Sequence, residues 1–225
     1  MRVMAPARTA SADDTAAAGA DLPPAKPGLR ERKKIQTRQA IRTAAYHLFA
    51  EQGYDATPVD QIADEAEVSP STVFRYFPTK EDIVLTDEYD ALVEDALRER
   101  PTGEPPVAAL REALYASLAR VYRSDATETF QRVRLIREVP ALRGRLSEHS
   151  ADTAWLLRRA LAERTGRAED DLELRIVTGA MLGALMEALY SWVDSGQEPG
   201  PAGSLEDLRA LVTRALGVLE RGLTL

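Results

Sequence analysis

The chain has no cysteine and only two histidines in 225 residues. The first absence excludes a disulfide scaffold, a thiol nucleophile and a thiolate-held metal, and it accords with a reducing compartment. The second leaves His47 and His149 without a metal-ligand spacing, and no glycine-rich phosphate cradle is present. Acidic residues are plentiful but scattered, so no general acid–base pair is legible. The expectation is a protein that is not an enzyme and that carries no cofactor and no metal. Strand signals are missing as well: there are no alternating Val/Ile/Thr runs and no Asn-Gly or Asp-Gly turns. The longest uncharged apolar run, between Arg175 and Glu187, is eleven residues, short of the ~20 that span a bilayer. The first thirty residues lack an apolar stretch and carry Asp13, Asp14 and Asp21, unlike a secretory or transit leader. Together these absences predict a cytoplasmic protein without a membrane partner.

What is present is an ordinary globular composition with unevenly placed charge. Apolar residues make up 44% of the chain and charged residues 29%, enough for a real core in one large or two small domains. Lys and Arg total 29 against 36 Asp and Glu, a net charge of −7. All four lysines (Lys26, Lys33, Lys34 and Lys80) lie within the first 80 residues, and the acidic excess lies beyond them. That asymmetry fits an anion-binding end on an acidic body, or simply one basic surface helix. Residues 1–28, rich in Ala and Pro and without periodicity, read as a disordered tail.

From Leu29 onward the pattern is helical, and an all-α chain of about nine helices is expected. Ile41, Ala44, Ala45, Leu48 and Phe49 form the buried stripe of a first helix, ended by a left-handed cap at Gly53. Thr57-Pro58, Ser69-Pro70 and Thr79-Lys-Glu-Asp82 each read as a helix start, the last as a capping box. These predict helices over about 58–65 and 70–77, and a fourth from about 79 to 100. Five more are expected over about 106–123, 125–138, 140–164, 169–194 and from 204 onward.

Residues 68–82 read VSPSTVFRYFPTKED. On a helix over 70–77, Ser71, Thr72, Arg75 and Tyr76 share an arc of about 140°. Pro70, Val73, Phe74 and Phe77 take the other side. Such a rod, roughly 12 Å long, fits a DNA major groove, and its arginine and hydroxyls suit bases or phosphates. The short turn over 66–68 makes a helix-turn-helix with the preceding helix. The basic run RERKKIQTR, with Arg30, Lys33 and Lys34, is suited to phosphates, as are the helix starts at Thr57 and Thr79-Lys80. Well-capped surface helices without nucleic acid are the plainer alternative.

Residues 37–85 resemble the DNA-binding domain of the tetracycline-repressor (TetR) family. The resemblance rests on A-x-x-L-F-x-x-x-G-Y, T-x-x-x-I-A, V-S-x-x-T and R-Y-F-P-x-K-E, as they stand here. It implies contacts to double-stranded DNA from Thr57, Ser69, Ser71, Thr72, Arg75, Tyr76 and Lys80. Many members have tyrosine where this chain has Phe74, so a hydroxyl contact to phosphate is lost at that position. The implied organisation is a three-helix helix-turn-helix domain over 29–84 followed by a helical effector-binding and dimerisation domain over 85–225. The implied function is a ligand-responsive regulator, a homodimeric repressor released from a palindromic operator by a small molecule. A DNA-binding regulator or activator without small-molecule control stays open, as does a helical enzyme or interaction module with an incidental helix-turn-helix.

The second half offers candidates for both remaining tasks. Small and apolar residues at helical spacing, Ile176, Gly179, Gly183, Leu208, Val212 and Leu219, suit a helical dimer interface or an intramolecular core. Tyr115, Tyr122, Phe130, Arg134, Arg137, Trp155 and Met181 are candidates to line an effector pocket between helices, although aromatics at this spacing also suit plain core. The segment RVRLIREVPALRGRL resembles that of family members with acyl-coenzyme-A-like effectors. Its arginines are suited to phosphates or carboxylates, or to surface pairs with Glu138, Glu148 and Asp152.

Overall fold

The computed structural model of the chain describes residues 28–86, 89–195 and 204–222. The expected tail therefore lies outside the described residues apart from Gly28, as does most of the loop expected over 195–204. Among the described residues there are ten α-helices and no strand.

Helix α1 (Leu29–Gln52) buries Ile41, Ala44, Ala45, Tyr46 and Phe49 and stops at Gly53. Gly53 has the expected positive φ, 87°, but ψ is 156°. This lies outside the compact left-handed well, in a region almost closed to side-chain-bearing residues. Helix α2 (Val59–Glu65) starts without help from Thr57, whose hydroxyl instead donates to the Gly53 carbonyl at 2.7 Å. Helix α3 (Pro70–Tyr76) is capped as expected: Ser69 accepts from the Thr72 amide, and proline occupies the first turn. Helix α4 (Lys80–Leu85) carries the expected capping box, with Thr79 and Asp82 each bonded to the other's backbone amide.

The helix expected over 79–100 is divided. Thr86 is extended (φ −82°, ψ 115°), and α5 begins anew (Tyr89–Arg98). A continuous helix would need the carbonyls of residues 85 and 86 as acceptors for amides four residues on. Here arginines from other helices take them: Arg132 bonds Leu85 O at 3.2 Å and Arg42 bonds Thr86 O.

The remaining helices fall close to their sequence signals. Helix α6 (Pro106–Ser124) opens on a proline, and α7 (Ala126–Glu138) is capped by Asp125. Helix α8 (Pro140–Thr165) ends on left-handed Gly166, and α9 (Leu172–Asp194) is capped by Asp171. Helix α10 is Ser204–Glu220.

Two apolar clusters hold these elements. The first gathers Ile41, Phe49, Ile62, Val73, Phe77 and Ile83 from α1–α4, and Ile136 and Leu142 of α7 and α8 join it. The second lies among α5–α10 around Leu110, Leu114, Leu161, Leu185, Trp192 and Leu208. Each such side chain, fully buried, contributes roughly 1.5–3 kcal/mol. Helix α9 is by length and composition apolar enough to cross a bilayer, longer in this respect than the eleven-residue run suggests. It serves as the central helix of the second cluster, with Leu174, Met181, Leu185 and Trp192 buried and α10 packed along it.

Candidate nucleic-acid interface and effector core

The helix-turn-helix is built on a tight bend. Glu67 has φ 53°; its amide bonds Asp64 O at 3.1 Å and the next amide, Val68, bonds Ala63 O at 2.9 Å. This pair of bonds is the left-handed cap in which glycine usually occupies the central position. It turns the chain so that Ser69 opens α3. Val73 and Phe77 then anchor α3 in the first core at 1% exposure each. The guanidiniums of Arg38 and Arg42 stand 5.0 and 5.9 Å from the centre of the Phe77 ring.

The outward face of α3 is rotated from the expected one. Ser71 and Arg75 are exposed, but Thr72 and Tyr76 are half-buried, and Phe74, expected inside, is 49% exposed. The hydroxyls of Ser71 and Thr72 both lie 2.9 Å from Ser69 Oγ, forming one cluster at the helix start. The Arg75 guanidinium lies 5.5 Å from the Tyr76 ring centre. Arg30, Lys33 and Lys34 are exposed on the first turns of α1.

Two expected contact residues are engaged within the fold. Thr57 is 0% exposed, its hydroxyl spent on Gly53 O. Lys80 donates its ammonium to Tyr54 O at 2.8 Å and Thr57 O at 3.2 Å, and sits 4.1 Å from the Tyr54 ring centre. It ties α4 to the turn after α1. His47 is exposed, its Nδ1 2.6 Å from Glu65 Oε1 on α2. An open groove of about 540 Å³ between α1 and the end of α2, lined by Gln36, Gln39, Thr43, Glu65 and Glu67 among others, had no sequence signal.

Of the pocket candidates, the structure brings Tyr122, Phe130 and Met181 together in the second core. Tyr122 and Phe130 present edges to Trp192, at centroid distances of 5.9 and 5.0 Å. Trp192, absent from the sequence candidates, is 2% exposed with an indole N–H that meets no acceptor among the described residues. Tyr115 is half-buried beneath the Arg209 guanidinium. The other three stand apart. Arg137 is exposed, 3.2 Å from Asp194 and over the Tyr190 ring. Trp155 is 43% exposed under Arg159. Arg134 lines a recess of about 10 Å³ with Tyr46, Phe49 and Gln131, against the first core.

Where the arginines of 132–146 meet carboxylates among the described residues, these are Asp194 and Asp82 rather than Glu138, Glu148 or Asp152. Arg132 reaches Leu85 O, Arg137 reaches Asp194, Arg143 reaches Arg137 O and Arg145 lies 3.4 Å from Asp82. Their carboxylate partners are contributed by α4 and α9. Around Arg132 a polar belt joins α1 to α7: Arg42 lies 3.6 Å from Glu128, and Gln39 donates to Glu128 at 3.2 Å. Burial pulls the Arg132 guanidinium down to about 10, and burial raises the Glu128 carboxyl and the Tyr46 hydroxyl above their ordinary values.

The dimer candidates also divide. Leu208 and Val212 are 1% exposed within the single chain, because α10 lays that face on α9, and half-buried Leu219 packs on the same core. Leu208 and Val212 are thereby covered within the chain. Ile176, 59% exposed, and the exposed Gly179 and Gly183 face outward on α9 beside Leu172, 65% exposed.

A capped short helix with Ser71 and Arg75 outward, mounted on an all-α body, is the arrangement of a helix-turn-helix transcriptional regulator. The sequence profile described as bacterial regulatory proteins, tetR family, matches residues 41–86, and that of the MftR C-terminal domain matches residues 104–224. The chain belongs to the tetR family of bacterial regulatory proteins. It is 37% identical over 155 residues to the HTH-type transcriptional regulator TcmR of Streptomyces glaucescens, spanning 66% of this chain and 69% of that one. It is 25% identical over 191 residues to the fatty acid metabolism regulator protein of Bacillus subtilis, spanning 81% and 93%. Among solved structures it resembles the transcriptional regulator FadR of Bacillus subtilis, crystallised with stearoyl-CoA. That likeness has a TM-score of 0.58 at 23% identity, over 83% of this chain and 99% of that one.

Proposed function

We propose that the protein is a homodimeric repressor that holds a palindromic operator through α3 and lets go when an apolar-chained effector enters the second core. The observation that carries this reading is the outward face of α3, with Ser71 and Arg75 exposed on a helix fixed by Ser69 and Phe77. Residues 29–84 act as the reading unit and 85–225 as the responding one, and no catalysis is assigned to either. The dimer reading is supported by α9: a Cβ added at Gly179 or Gly183 would meet nothing within 4 Å. Glycine inside a helix costs roughly 0.5–1 kcal/mol each relative to alanine. A second copy approaching that face gives both glycines a use. Two copies related by a two-fold axis present two reading helices to a palindrome. A cytoplasmic location follows from DNA as partner.

The effector reading is supported by the stearoyl-CoA bound to the FadR neighbour and by the largely apolar second core to which Tyr122, Phe130 and Met181 belong. An entering chain must separate Trp192 from its two aromatic neighbours, shifting α6, α7 and α9 against one another. Helix α7 carries Arg132, whose guanidinium grips the end of α4, so the shift reaches the reading unit. Coupling is reciprocal: DNA and effector must weaken each other by the same factor. Stearoyl-CoA titrated against the protein on a labelled operator should lower DNA affinity by roughly 5–150-fold, and operator should lower stearoyl-CoA affinity equally. DNA affinity unmoved by saturating acyl-CoA esters of every chain length would favour regulation without this class of effector.

A further inference from the structure

Phe74 is the anomaly of the reading helix. The chain has four phenylalanines; Phe49, Phe77 and Phe130 are 6%, 1% and 4% exposed, whereas Phe74 is 49% exposed. It belongs to neither apolar cluster, and the two guanidiniums that cover Phe77 are not set over it. On a helix advancing 100° per residue, Ser71, Phe74 and Arg75 span about 100° and share one face. All three are exposed, whereas Val73, on the opposite side, is 1% exposed. An aromatic ring thus stands on the same face as a hydroxyl and a guanidinium, at the edge of the surface offered to DNA.

The ring has no hydrogen-bonding group, so it cannot read base donors or acceptors or hold a phosphate. The apolar group that the floor of a major groove presents is the C5-methyl of thymine. We propose that Phe74 is a specificity-determining residue that seats on thymine methyls flanking the bases read by Ser71 and Arg75. This rests on α3 being the DNA-reading helix. Under it, the operator carries a thymine at a fixed position in each half-site, chosen by shape rather than by hydrogen bonds. Covering one methyl removes apolar surface worth about fourfold in affinity.

The test uses the full-length protein and an operator obtained by selection from genomic fragments. Each thymine is replaced in turn by deoxyuridine, which lacks only the methyl. Wild-type protein should lose about fourfold per half-site at one symmetric position, and Phe74→Ala should show no loss there. Phe74→Ala removes an exposed ring, and its thermal melt should overlay that of the wild type. Insensitivity of wild-type binding to every deoxyuridine overturns the assignment while leaving DNA reading by α3 intact. So does a penalty that persists unchanged in Phe74→Ala. Failure to select any operator overturns the reading of α3 itself and the assignment with it.

Discussion

Glu67 bends the helix-turn-helix with a φ of 53°, a conformation that costs a residue with a Cβ roughly 1–2 kcal/mol. Glycine occupies it without that strain, offset in part by its greater freedom when unfolded. Glu67→Gly should therefore stabilise the protein by roughly 0.5–1 kcal/mol in urea unfolding; a destabilised variant would mean that the glutamate side chain has an undetected role. Other residues show where sequence reading stops at this scale. Ser69 and the Thr79–Asp82 pair were legible because caps are local, fixed by spacing of three residues. Thr57 and Lys80 looked equally available, yet both are turned inward by acceptors, at Gly53, Tyr54 and Thr57 itself, that only the folded turn brings near. Phe74, which the spacing puts on the buried side, is exposed, and Val73 and Phe77 provide the apolar anchor of this seven-residue helix.

At the scale of elements, the polar belt between α1, α4 and α7 is the feature with most consequence and least sequence signal. Gln39, Arg42, Glu128 and Arg132 come from helices about ninety residues apart in the chain, and nothing in their local spacing announces the pairing. Many helix boundaries, by contrast, are legible in the sequence, since proline and glycine mark them; the Asp125 and Asp171 caps emerge only in the structure. The break after Leu85 was not legible, because it depends on Arg42 and Arg132 drawing off carbonyls. The belt has a measurable signature. Burial holds the Glu128 carboxyl above the ordinary glutamate value, with Arg42 opposing the shift only in part. A carboxyl with a raised folded pKa binds its proton more tightly folded than unfolded. Its contribution to stability is complete below the unfolded pKa and is lost as pH rises through the folded one. Between about pH 4.3 and neutrality, the wild type should therefore lose stability relative to Glu128→Gln. Urea unfolding across that range gives the answer, and parallel curves for the two proteins would contradict the buried, destabilised carboxylate.

For the whole molecule, the division of labour between α9 and α10 decides which apolar face is left for the second copy of the proposed dimer. The apolar faces of both helices were visible in the sequence, but which of them is consumed inside one chain was not. Packing settles it: α10 spends Leu208 and Val212 on the intramolecular core, leaving Leu172, Ile176 and the glycines of α9 outward. The central claim is that two such chains, joined there, read DNA as a pair. It is tested most directly by incubating purified protein with fragmented genomic DNA at near-physiological salt and sequencing what is retained. A dimer reading DNA through two α3 helices should enrich a palindrome whose half-sites are centred one helical turn, about 34–36 Å, or a multiple of it apart. Retained DNA without any sequence enriched over the non-specific background would contradict that claim.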